Sequence, residues 1–187
     1  MNKTIIHQLI IGAHPFMEIT RFCDKPGIYA IFFYGNLFPL EGVAIKSNQI
    51  IYLGKTESSQ QSRDADTHFS SAKTGSSTVR RSLGALLKKE LNLNPIPRND
   101  KDFGAGRFTV FKFDNSSEVK LTSWMQKNLG LSFFMYDKPK DEINKLETEL
   151  IDMVRPILNI DFKNPHNPYA SIIKAERRLV ALDSYKR

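Results

Sequence analysis

Glu147 is the residue most out of keeping with its neighbours. At about 100° per residue along a helix, Ile143, Leu146, Leu150, Ile151, Met153, Val154 and Ile157 fall on one apolar arc. Glu147 falls inside that arc, between Val154 and Ile151, while Glu149 and Asp152 fall outside it. A carboxylate at the rim of a buried face is costly unless a metal, a cation or a proton satisfies it. Either Glu147 belongs to a site, or it snorkels or pairs with an arginine. A second stretch with chemical content is Gly54-Lys55-Thr56, which has the ending of a phosphate-cradling loop. Such a loop needs its first glycine where Gln49 stands, so a nucleotide-handling P-loop fails on spacing. His7, His14 and His166 have no partner at zinc-binding spacing and read as structural.

Positioning these residues requires a scaffold, and the pattern supplies one. Pro26-Gly27 opens GIYAIFF, a β-branched and aromatic run that reads as a buried strand. QIIYLG follows after a turn region, close enough to make an antiparallel pair with it. Residues 57 to 76 are expected to hold a helix carrying Arg63 and His68. Ser77 or Thr78 can cap the next helix, with Val79, Leu83, Leu86 and Leu87 on one face. RFTVFKF reads as a third strand, EVKLTSWMQKNL as a helix with Trp124 and Met125 in the core, and SFFMYD as a fourth strand. DEINKLETELIDMV is an amphipathic helix that Pro156 closes. A last helix is expected over about 168–183. Strands mixed with helices, without βαβ alternation, imply an α+β fold: a small, central, mostly antiparallel sheet flanked by helices.

The chain of 187 residues is sized for a single domain. Its 41% hydrophobic and 11% aromatic content argue against disorder. No run approaches the ~18 apolar residues of a membrane span, and the short apolar run near the N-terminus is too brief for a secretory signal. The lone Cys23 excludes an internal disulfide and fits a reducing compartment, hence the cytoplasm. A net charge of +7 favours polyanionic partners. Between Gly54 and Arg98 eight Lys/Arg face four acids, and the C-terminal end adds Lys174, Arg177, Arg178, Lys186 and Arg187.

Gly27-Ile28-Tyr29 followed by Ile51-Tyr52-Leu53-Gly54 resembles the paired signature of the GIY-YIG nuclease family, with Leu53 in place of isoleucine. Arg63 and His68-Phe69 match that family's next elements, with one residue more between Arg63 and His68 than usual. Glu147-Thr148-Glu149-Leu150-Ile151 and Pro156-Ile157-Leu158-Asn159 match its later E-x-x-L-I and P-x-x-N patterns. The glutamate so matched is the one that the helical wheel had isolated. The resemblance implies a catalytic core over about 25–160, with an insertion over about 93–140.

What the resemblance implies chemically is hydrolysis of a DNA phosphodiester, which needs an activated water, charge on the phosphate and help for the departing 3′ oxygen. Glu147 would hold one Mg2+ (or Mn2+), with waters filling the remaining positions. Arg63 would hold the scissile phosphate, Tyr29 would activate or orient the water, and Tyr52 would position either. Lys55 would be the local cation that lowers the titration of Tyr29, and it also ranks as a DNA contact. His68 has two readings, a proton relay or a hydrogen-bonded surface histidine. Asn159 would orient the glutamate or a water, or cap a helix end. Thr78, Arg80 and Arg81 would suit backbone phosphates at a helix N-terminus; a solvated basic face is the other account of the arginines. A homodimer would provide the two strand scissions of a duplex cut. A regulatory or nucleic-acid-binding protein that keeps the fold and cuts nothing is the alternative.

Overall fold

The computed structural model describes residues 1–98 and 110–185. Its helices are α1 (Asn2–Ile11), α2 (Thr78–Leu86), α3 (Asn115–Asn128), α4 (Lys140–Val154) and α5 (Ala170–Asp183), with a π-helical turn over Gln61–His68. Its strands are β1 (His14–Pro15), β2 (Gly27–Phe33), β3 (Gln49–Thr56), β4 (Pro95–Pro97), β5 (Phe111–Phe113) and β6 (Leu129–Met135). The main sheet has the order β1-β6-β2-β3 and is antiparallel throughout. The α+β architecture expected from the sequence is the one observed.

All seven residues of β2 are buried. The strand therefore reads as an unbroken apolar run, because both faces of the sheet are covered. Ile28, Ala30 and Phe32 meet Ile5 and Leu9 of α1 and Ile143, Leu146, Leu150 and Ile151 of α4. Tyr29, Ile31 and Phe33 meet the other layer, built from Val79 and Leu83 of α2, Leu121 and Met125 of α3, and Ile173 and Val180 of α5. α4 ends where Arg155 turns left-handed (φ 50°) immediately before Pro156.

Three features depart from the sequence reading. The N-terminal apolar run is α1, whose Ile5 and Leu9 stand one turn apart on the buried side. RFTVFKF does not join the main sheet: Phe111–Phe113 pairs with Pro95–Pro97 in a separate ribbon, and residues 107–109 lie outside the described residues. The 93–140 segment, read as an insertion, carries β6, which pairs with β2 along its full length from Gly27↔Met135 to Phe33↔Leu129. Lys186 and Arg187 of the basic C-terminal end also lie outside the described residues. Among those described, no helix is long and apolar enough to cross a membrane.

Candidate active site

Strand register brings the two tyrosines together. Tyr29 lies opposite Gly54 and Ile31 opposite Tyr52, with a bulge following between Ile31 and Phe32. Directly opposed residues share a face, so Tyr29 and Tyr52 are diagonal neighbours on one side of the sheet. Their ring centroids are 6.1 Å apart. Gly54 is what lets Tyr29 lie across the strand: a Cβ there would stand 2.4 Å from Cζ and Oη of Tyr29. Gly27 has a backbone reason, since its Cβ would meet the carbonyl oxygen of Phe134 on β6 at 2.2 Å.

The π-helical turn delivers two more groups to the same phenol. Its wider i→i+5 repeat brings residues five apart into line, and Arg63 and His68 have that separation. Arg63 Nε donates to Tyr29 Oη at 3.3 Å, and Oη is hydrogen-bonded to His68 Nε2 at 2.8 Å. Behind the imidazole, Nδ1 is 2.7 Å from Ser77 Oγ, which accepts the Arg80 backbone N–H at 3.1 Å as the cap of α2. His68 is thus wholly buried, not a surface histidine. Burial first, then the charges of Arg63 and Arg80, hold it well below the ordinary imidazole range, so it is neutral near pH 7.

Glu147 comes from the layer on the other side of the sheet, and the two layers meet at the outer edge of β3. There a cleft of about 350 Å³ is lined by Tyr29, Tyr52, Lys55, Ser62, Arg63 and Glu147. Glu147 is 6% exposed, and its Oε2 accepts from Lys163 Nζ at 2.5 Å. Tyr52 is pushed up to about 12, chiefly by burial; Arg63 and a hydrogen bond with Tyr29 oppose that, and Glu147 and Asp161 add to it. Tyr52 therefore stays a phenol at neutral pH, suited to donating a hydrogen bond.

A family model of the GIY-YIG catalytic domain matches residues 27–179. The chain belongs to the GIY-YIG nuclease family. Comparison with curated proteins and with solved structures returned no match. Membership of the GIY-YIG family carries a nuclease-type, phosphodiester-hydrolysing function and a nucleic-acid substrate. The extra residue between Arg63 and His68 is absorbed by the π-helical turn, which keeps both side chains on Tyr29. Leu53 in the place of the family's isoleucine is buried among the aliphatic residues facing α4, where side-chain volume matters more than branching.

Several of the residues singled out in the sequence lie elsewhere than expected. Lys55 lines the same cleft as Tyr29. It is ion-paired with Glu57, which Lys140 also holds at 3.1 Å, and Arg63 is the cation against the phenol. Arg80 cannot meet DNA: it has no exposed surface and is bonded to Glu118 Oε2 at 2.6 Å, Thr74, Thr122 and the His68 carbonyl. The N-terminus of α2 where a phosphate was expected is closed by Ser77. Asn159 neither orients Glu147 nor caps a helix. Its amide clips the edge of β3, accepting from Leu53 N–H at 2.9 Å and donating to Leu53 C=O at 2.8 Å. Thr78 and Arg81 keep partial exposure on the first turn of α2, where Arg81 donates to Thr78 Oγ1 and to the Thr74 and Gly75 carbonyls.

Lys163 is the contact that sequence reasoning missed. Nothing local marks it; it reaches Glu147 because Asn164 and Asn167 tie down the turn around it, donating to the carbonyls of Pro156, Ile157 and Asn159. Among the described residues no group of three or more His, Cys, Asp or Glu side chains could enclose a metal. The chemistry of Glu147 nonetheless fits magnesium, which takes hard oxygen donors and commonly uses one or two carboxylates plus phosphate and water. Its Oε1 has no protein partner among the described residues.

Proposed function

We propose that the protein is a metal-dependent DNA endonuclease. The observation that carries this reading is the meeting of Tyr29, Tyr52, Arg63 and Glu147 in one cleft from four separate parts of the chain. Glu147 would hold a Mg2+ or Mn2+ ion, which when bound supplies positive charge to the phosphate and to the departing 3′ oxygen. Arg63 answers the charge that builds on the phosphate, as a fixed fork of donors in a partly dry site. With the single proton of the neutral imidazole on Nε2, His68 and Arg63 both donate to Tyr29 Oη and steady negative charge there. Entering the step as the phenolate that these two donors stabilise, Tyr29 takes the proton of the attacking water as the water oxygen bonds to phosphorus and the P–O3′ bond breaks. The departing 3′ oxygen takes its proton from solvent. Tyr52, still protonated, donates to a non-bridging oxygen or to the water. One cleft per chain cuts one strand, so a duplex cut calls for a dimer or two sequential nicks. The cytoplasm is the compartment that this reading fits.

The experiment is incubation of supercoiled plasmid with the protein and magnesium. Glu147→Ala is expected to keep the wild-type circular dichroism spectrum and melting temperature within a few degrees and to lose cleavage. Nicking by that variant at the wild-type rate would end the proposal. Lys163 favours a second reading, a binder that does not cut, because a lysine already neutralises the carboxylate. A magnesium-independent gel shift without product would support it.

A further inference from the structure

Beside the catalytic cleft lies a second, larger cavity of about 650 Å³, and Tyr52 lines both. Its walls are apolar where Leu158, Ile160 and Ala175 contribute and cationic where Lys174, Arg177 and Arg178 of α5 reach in. Thr78, Asn159 and Asp161 complete the lining. The cations here are poorly answered. Nε of Arg177, in the lining, is buried without a hydrogen-bond partner, as is Nε of Arg81 outside it, whose other guanidinium nitrogens are held by Thr74, Gly75 and Thr78. No ion pair among the described residues involves Lys174, Arg177 or Arg178. Arg81 is lowered to about 10, first by burial and then by the like charges of Arg177 and Arg98. Neighbouring guanidinium groups that repel one another, with one buried N–H on each unpaired, are held at a cost to the fold, which an anion bound at Arg177 would relieve.

We propose that this cavity holds the nucleotide next to the scissile phosphodiester on the cut strand, its phosphate on Arg177 and its neighbours and its sugar and base against Leu158 and Ile160. The inference rests on the nuclease reading and adds to it a second contact point, supplied by the C-terminal helix. Tyr52 is the wall common to both cavities, so a strand threaded past it would place one phosphate in each. The cations favour a phosphate, and the apolar wall favours a ring over a carboxylate-bearing peptide.

Arg177→Gln and Lys174→Gln test this in the full-length protein. Arg177→Gln should melt at or above the wild-type temperature, because it removes repulsion without breaking a pair. Both variants should raise KM for a cleavable duplex, Arg177→Gln by about tenfold, and leave kcat within about twofold. With labelled duplex in EDTA, fluorescence anisotropy should give a salt dependence shallower by about one unit for each variant. Unchanged KM and unchanged salt slope in variants of an active enzyme would overturn the inference, as would a sharp fall in melting temperature for Arg177→Gln. If the wild type cuts nothing, the nuclease reading fails on its own. The anisotropy result then still decides the cavity: a shallower slope supports it as a nucleic-acid contact, and an unchanged slope removes it.

Discussion

Arg80 and Arg177 stand on helices α2 and α5, which pack against each other, and share little except residue type. Arg80 is fully enclosed, and its guanidinium meets Glu118, Thr74, Thr122 and the His68 carbonyl. Arg177 is half-buried and leaves Nε without a partner. The same contrast divides the surroundings of Tyr29. Behind it, His68, Ser77 and the Arg80 backbone form a closed chain of hydrogen bonds. In front of it, a carboxylate, a guanidinium and a phenol face a cleft. A closed polar network rigidifies what it surrounds, whereas groups that line a cleft can still exchange partners with a ligand. The closed network behind Tyr29 holds the cleft side still.

The largest expected effect breaks the closed side. Arg80→Ala leaves Glu118 buried without its cation and should lower stability in urea unfolding by about 3–5 kcal/mol. Replacing both partners with apolar residues of similar volume should recover most of that loss. A loss below about 1 kcal/mol, as for an exposed pair, would erase the distinction drawn between the two arginines.

Gly54→Ala probes the boundary between the halves. The added methyl must displace the Tyr29 ring, so a loss of about 1–3 kcal/mol from overpacking is expected together with weakened plasmid nicking. Wild-type values of both would mean that the phenol is not held against the strand.

The smallest effect sharpens the account of His68. Its proton affinity is depressed in the folded protein, so below the ordinary value of 6.5 the unfolded chain binds more protons than the folded one. Stability is then fully present above that value and falls as the pH is lowered, by about 1.4 kcal/mol for each pH unit at most. Melting temperatures measured between pH 7.5 and about 5 should decline in the wild type and decline less in His68→Gln. Equal slopes would mean that His68 is not held neutral.

Much of the fold and of the cleft could be read directly from the sequence, because periodicity records which face of an element is covered. The run Gly27–Phe33 announced a strand buried on both sides, and the wheel over 143–157 isolated Glu147 as a carboxylate on an apolar arc. The local chemistry of Gly54-Lys55-Thr56 was also enough to exclude a P-loop. Partnership is a different matter. Arg80 and Arg81 are adjacent and look alike, yet only the arrival of α3, with Glu118 on it, decides that one is a strut. Lys163 finds Glu147, Asn159 clips Leu53, and β6 takes its place beside β2 through contacts between distant residues. Such pairings depend on where the backbone carries each group, and a short window of residues contains no record of that.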